Sequence, residues 1–152
     1  MLRIPKKYSL YLSMVLSTIF LIGCAVGAVA LPLLPKTLID AKGAPLGTQE
    51  QIGMLVLSYA ILATATLADV LLMLLLRRVH RGLVFSRQST DLVRGISWCC
   101  MLVGLLCLGM GYFFRIALLL AFAALLLGLC LRVVKNVLEE ATELKSENEL
   151  TI

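Results

Sequence analysis

IGMLVLSYAILATATLADVLLMLLL, residues 52–76, is followed at once by Arg77 and Arg78, and this stretch decides the fold. It contains a single charge, Asp69. A helix needs about 20 apolar residues to cross a hydrocarbon core of roughly 30 Å. Lipid offers the backbone no hydrogen-bond partners, so a lone crossing segment must satisfy its own peptide groups as a helix. Three more runs read the same way, over residues 8–34, 96–114 and 116–134.

Outward from these runs the sequence predicts an all-α fold, a four-transmembrane-helix bundle. The helices are expected at about residues 8–34, 52–81, 87–114 and 116–145, as a single membrane domain over residues 1–152, with a cytoplasmic amphipathic C-terminal helix. The chain has 152 residues, 61% of them hydrophobic, and a mean hydropathy of +0.99. The pieces outside the runs are about 16, 19 and 18 residues long, each too short to bury a core of its own. An appended soluble enzyme domain is therefore excluded.

The net charge of +5 is informative by position. Arg3, Lys6, Lys7, Arg77, Arg78, Arg81, Arg87, Arg94, Arg132, Lys135 and Lys145 fall on one side of the runs; Lys36, Lys42 and Arg115 fall on the other. Positive charge is retained on the cytoplasmic side, so both termini and the middle loop are expected there. The lipid bilayer is then the first partner. Direct binding of nucleic acid is not expected, because the basic residues sit where topology places them.

The N-terminal run also admits a second reading. Leu21-Ile-Gly-Cys24 resembles a lipoprotein cleavage box. The chain stays apolar through Leu34, however, and removal would leave an odd number of spans, so retention as a first helix is expected.

Small residues at helical spacing predict which faces meet. Cys100, Gly104, Cys107 and Gly111 form one stripe, and Ala117, Ala121, Ala124 and Gly128 another. Small side chains let two backbones approach closely in lipid. A tight hairpin is expected, with Gly111 near Ala117 and Cys100 near Gly128. Gly23 and Gly27 form a further GxxxG pair, read as packing within the chain or as a homo-oligomer face. Thr48 with Gln51 fits a capping box, Gly82 a helix stop and Ser86 an N-cap.

Chemistry has few carriers. Asp69 is an acid inside an apolar run, where an unpaired carboxylate costs about 3 kcal/mol. It reads as a polar clasp, with Arg132, Arg94 or Ser97 as partner, or as a proton or cation relay. The clasp is preferred, because transporters combine several intramembrane polar groups, broken helices or repeats. No Ser/His/Asp set, paired membrane carboxylates or glycine-rich phosphate loop occurs, and the five cysteines lack metal-ligand spacing. No enzyme activity, cofactor or metal is expected.

The cytoplasmic segments carry opposite charge. Residues 77–94 hold five arginines against Asp91, a net of +4, and residues 136–152 hold five acids against Lys145, a net of −4. Arg77, Arg78, Arg81 and Arg87 with Glu139, Glu140 and Glu143 make a candidate docking face. The two segments either dock on each other or are solvated separately, with the arginines at lipid phosphates.

Gly82-Leu-Val-Phe-Ser86, Leu92-Val-Arg-Gly-Ile-Ser97 and the ending from Arg132 through Glu140 to Ile152 carry a family likeness. In these motifs and the four-run layout the chain resembles the bacterial domain-of-unknown-function family twenty-nine seventy-five. Gln88-Ser89 departs from the Glu-Asn expected after the Phe-Ser pair. The resemblance implies an integral membrane protein of bacterial type, hence a bacterial inner membrane as its place, with no catalytic residues to carry over. It also implies a cytoplasmic partner, a helix-turn-helix transcription regulator encoded nearby. The function expected is a non-enzymatic membrane protein with a cytoplasmic docking or regulatory face. The alternative is a small ion- or proton-coupled transporter or oligomeric channel that uses Asp69.

Overall fold

Pro32 and Pro35 end the first helix, because proline has no N–H to continue the ladder. The chain tightens there into a 3-10 turn over Leu31–Lys36. Pro32 cannot supply the α-type donor to the Ala28 carbonyl, and the Tyr59 hydroxyl donates to that carbonyl at 3.1 Å. The same bond joins the first helix to the second.

A computed structural model describes residues 6–36, 47–82 and 86–149. Within these residues run α1 (Lys6–Ala30), α2 (Thr48–His80), α3 (Arg87–Met110) and α4 (Ile116–Glu149). Each is long and apolar enough to cross a bilayer. The chain exposes leucine, isoleucine, valine and phenylalanine along all four helices. Apolar surface this continuous is sustained by lipid and not by water. Arg3 and Lys42, the middle of the Gly82–Ser86 motif (residues 83–85) and the end of the tail from residue 150 lie outside the described residues.

The helix ends show which local signals win. Thr48 and Gln51 are predicted to form the capping box of α2, but the helix begins one residue earlier. Gly47 is the N-cap, and its N–H donates to Glu50 Oε2 at 3.2 Å. A carboxylate is the stronger acceptor and also suits the positive end of the helix. Gly82 follows the end of α2 with φ of 76°, in the left-handed region that glycine enters at little cost. Ser86 caps α3 as predicted, its Oγ accepting from the Ser89 N–H at 3.3 Å. Helix α3 stops at Met110, short of residue 114. The Phe113 and Phe114 N–H groups both donate to the Met110 carbonyl and close the turn into α4.

The helices pack in chain order: α1 on α2, α2 on α3, α3 on α4. Antiparallel registers are set by Tyr59 at Ala28 for the first pair and by Leu71 at Gly95 and Leu57 at Gly109 for the second. The closest approach is α3 with α4, where Gly104 lies under Leu125 and the Ala121 carbonyl. Gly128 lies against Met101 and the Ser97 carbonyl. The small-residue stripes therefore do face each other, offset by one residue from expectation: Gly111 meets Leu118, and Gly128 meets Met101.

Among the described residues α1 does not reach α4. The bundle opens on that side into an apolar cleft of about 610 Å³, with Gly23, Gly27, Ala65, Cys107 and Ala117 in its walls. Gly27 of the GxxxG pair touches Leu62, whereas Gly23 faces open space.

At 1.5 Å per residue, α2 and α4 are each roughly 50 Å long, well beyond a core of about 30 Å. No glycine or proline interrupts α4 after Gly128, so the tail continues the fourth helix without a break. On this extension the apolar face expected of an amphipathic helix, Val134, Val137, Leu138, Ala141 and Leu144, is divided: Leu138 and Ala141 are partly covered, while Val137 and Leu144 are 60% and 61% exposed.

Candidate functional site

Asp69 owes its setting to helical spacing. On α2 the side chains of Ser58, Thr64 and Thr66 each donate to the carbonyl four residues back. Hydroxyls can satisfy themselves this way in a helix, but a carboxylate cannot, since it only accepts. Its partner must come from elsewhere. On α1, Ser17 and Cys24 are buried along the face that meets α2. Ser17 Oγ donates to Asp69 Oδ1 at 2.6 Å, in the register set by Tyr59 and Ala28. The two side chains are 5% and 6% exposed, and Asp69 Oδ2 has no hydrogen-bond partner among the described residues.

This corrects the clasp expected from the sequence. Asp69 is not paired with Arg132, Arg94 or Ser97. Ser97 instead donates to the Gly128 carbonyl at 2.8 Å and ties α3 to α4. The Arg132 guanidinium lies 5.2 Å from the centroid of the Trp98 ring. Arg94, Ser97 and Arg132 do come together, but in a groove of about 300 Å³ between α3 and α4. The reason is register: the tight glycine contacts bring Ser97 level with Gly128, so the arginines of these two helices cluster beside them and not at α2.

The docking candidates divide into two groups. Arg87, Glu139 and Glu143 line one groove of about 400 Å³ with Thr90, Asp91 and Ser146. There Glu139 pairs with Lys135, one turn away. The hydrogen bond from Lys135 is the main cause that holds the Glu139 carboxyl below the usual carboxylate range; desolvation opposes it as the next largest effect, and the charges of Lys135, Arg94 and Arg87 lower it further. The acidic part of α4 thus lies beside arginines of α3. Arg77, Arg78 and Arg81 line a second groove of about 400 Å³, where Arg78 donates to Gln88 Oε1. Arg77, Arg81 and Glu140 are exposed.

Ser17 escaped the sequence reading. Ser17 carries no charge, and it is one of three serines at four-residue spacing in the first run, with Ser9 and Ser13, so nothing in the residue type singles it out. The usable signal was its seven-residue spacing from Cys24 on the stripe of α1 that faces α2. Among the described residues no group of histidine, cysteine and acidic side chains is placed to hold a metal ion. Residues 4–152 match the model of a family described as "Protein of unknown function (DUF2975)". No curated protein and no solved structure matches the chain.

Proposed function

The chain belongs to the DUF2975 family, and from that premise we propose a non-enzymatic, multi-pass protein of a bacterial inner membrane whose cytoplasmic face docks a protein partner. The one-sided lysines and arginines support placing both termini, the 82–86 connection and the α4 extension in the cytoplasm. The reading rests on one observation. The end of α2 presents Arg77, Arg78 and Arg81 with no carboxylate partner among the described residues, while Glu139 is already engaged by Lys135 near Arg87 and Arg94. A cluster of guanidiniums without a carboxylate suits an acidic protein surface, and a helix-turn-helix regulator is the partner class that the family resemblance implies.

The test is co-purification of the regulator encoded nearby from detergent extracts. Replacing Arg77, Arg78 and Arg81 together by glutamine is expected to reduce capture at least about tenfold, the equivalent of about 1.4 kcal/mol. Deleting residues 136–152 separates the two charged segments: capture that survives the deletion assigns docking to the arginines alone. Capture that is indifferent to the triple substitution sinks the proposal.

One observation favours a second reading, a small proton- or cation-coupled transporter or oligomeric channel. Asp69 keeps one carboxylate oxygen without a partner inside the bundle, and intramembrane acids commonly serve as relays. In liposomes carrying an ion or pH gradient, Asp69→Asn is then expected to lower flux more than about tenfold. Absence of flux in the native protein, or equal flux in the variant, removes this reading.

A further inference from the structure

Three cations from two helices converge on one short groove. Arg94 of α3 and Arg132 and Lys135 of α4 line it with Ser97, Trp98 and Asn136, around a volume of about 300 Å³. No carboxylate lines it. Glu139 reaches Lys135 from a turn beyond and lies within the field of Arg94, which leaves the Arg132 guanidinium with no carboxylate partner among the described residues. The groove is anchored where α3 and α4 are closest, by the bond from Ser97 to the Gly128 carbonyl. Arg132 is further oriented by the Trp98 ring, since a cation over an indole face is held by the ring quadrupole.

Its depth points to the ligand. From Ile116 to Arg132, and from Met110 back to Arg94, each helix rises roughly 24 Å, and Lys135 lies roughly 4 Å further on. With the α3–α4 turn at one face of a core about 30 Å thick, these side chains arrive at the opposite face, at the level of the lipid phosphates. Trp98, 59% exposed on the same rim, is the residue type that settles at this boundary.

We propose that this groove binds the phosphate headgroup of an anionic phospholipid. Guanidinium groups present paired donors that match phosphate oxygens, and Lys135 and the Asn136 amide add further donors. The Ser97 hydroxyl already donates to Gly128, so it offers only lone pairs. A zwitterionic headgroup would bring its own cation toward Arg94 and Arg132, whereas a glycerol headgroup brings none. The site therefore selects net-negative lipid.

Trp98 is the sole tryptophan of the chain and lies in the groove, so its emission reports occupancy directly. The full chain, held in phosphatidylcholine nanodiscs, is prepared with rising fractions of phosphatidylglycerol of the same acyl chains. A saturable change in Trp98 emission is expected. Arg94→Gln and Lys135→Gln, neither of which removes the ring contact of Arg132, should each shift the midpoint by about fivefold. Arg115→Gln, at the other end of the hairpin, should leave it in place. Circular dichroism confirms that each variant keeps its helix content, and Lys135→Arg should restore the native midpoint. A native midpoint in both folded glutamine variants, or no emission change on adding phosphatidylglycerol, overturns the proposal. If inorganic phosphate added to lipid-free, detergent-held protein gives the same saturable change, the ligand is a soluble anion, and the lipid assignment fails.

Discussion

Gly128→Leu is expected to destabilise the bundle by about 3 kcal/mol, the largest effect of any single substitution considered for this chain. A Cβ at Gly128 would lie 2.9 Å from Met101 Cγ and 3.3 Å from both the Met101 nitrogen and the Ser97 carbonyl oxygen. The first neighbour is a side-chain atom that can swing aside. The other two belong to the backbone of α3, so a larger residue must push the helices apart. Separation also costs the bond from Ser97 to the Gly128 carbonyl, worth about 1 kcal/mol inside a membrane. Gly23→Leu is the matched control, because a Cβ there meets nothing within 4 Å. Its expected change is within about 0.5 kcal/mol. Unfolding in graded SDS mixtures, followed by circular dichroism, compares the two; equal losses would mean that close α3–α4 contact does not hold the bundle.

Removing the Ser17 hydroxyl is the second large perturbation. Ser17→Ala leaves both oxygens of the buried Asp69 carboxylate without a partner, at a cost of about 1 to 2 kcal/mol. The sign of the follow-up is the stronger test. Adding Asp69→Val to Ser17→Ala removes the stranded acceptor as well and leaves two apolar groups in contact. The double variant should therefore recover most of the loss. A double-mutant cycle in the same SDS assay gives the coupling directly. Additive losses would show that the two side chains act independently despite their 2.6 Å contact.

The two perturbations fall on different helix pairs, and that reflects how the chain is assembled. The α3–α4 pair relies on backbone proximity, with Ala121 fully buried and Gly104 and Gly128 under neighbouring side chains. The α1–α2 pair relies on polar contacts, Ser17 with Asp69 and Tyr59 with Ala28. Lipid tails are as apolar as leucine, so neither pair can depend on hydrophobic burial as a water-soluble core does. The cleft between α1 and α4 fits this account: nothing in lipid forces the bundle to close.

Sequence reading recovered what depends on near neighbours. The spans, the left-handed Gly82, the Ser86 cap and the facing stripes of small residues all follow from local propensity or helical period. The misses were longer-range choices. Thr48 and Gln51 fit the capping pattern, but the backbone enters the helix one residue earlier, at Gly47, and Glu50 supplies the acceptor. Arg132, Arg94 and Ser97 were offered to Asp69 on grounds of charge and shared level.

By itself, then, the amino-acid sequence determined that this chain makes four long helices apolar enough for a bilayer. Lipid forbids unpaired backbone, so length and hydropathy leave one solution. Only the tertiary structure decided which side chains meet: Asp69 with Ser17, Arg132 with Trp98, and three cations in one groove. Those meetings depend on the register and rotation of one helix against the next. Register here is set by a few glycine contacts and by the interhelical hydrogen bonds of Ser17 with Asp69, Tyr59 with Ala28 and Ser97 with Gly128, and no periodicity within a single segment encodes it.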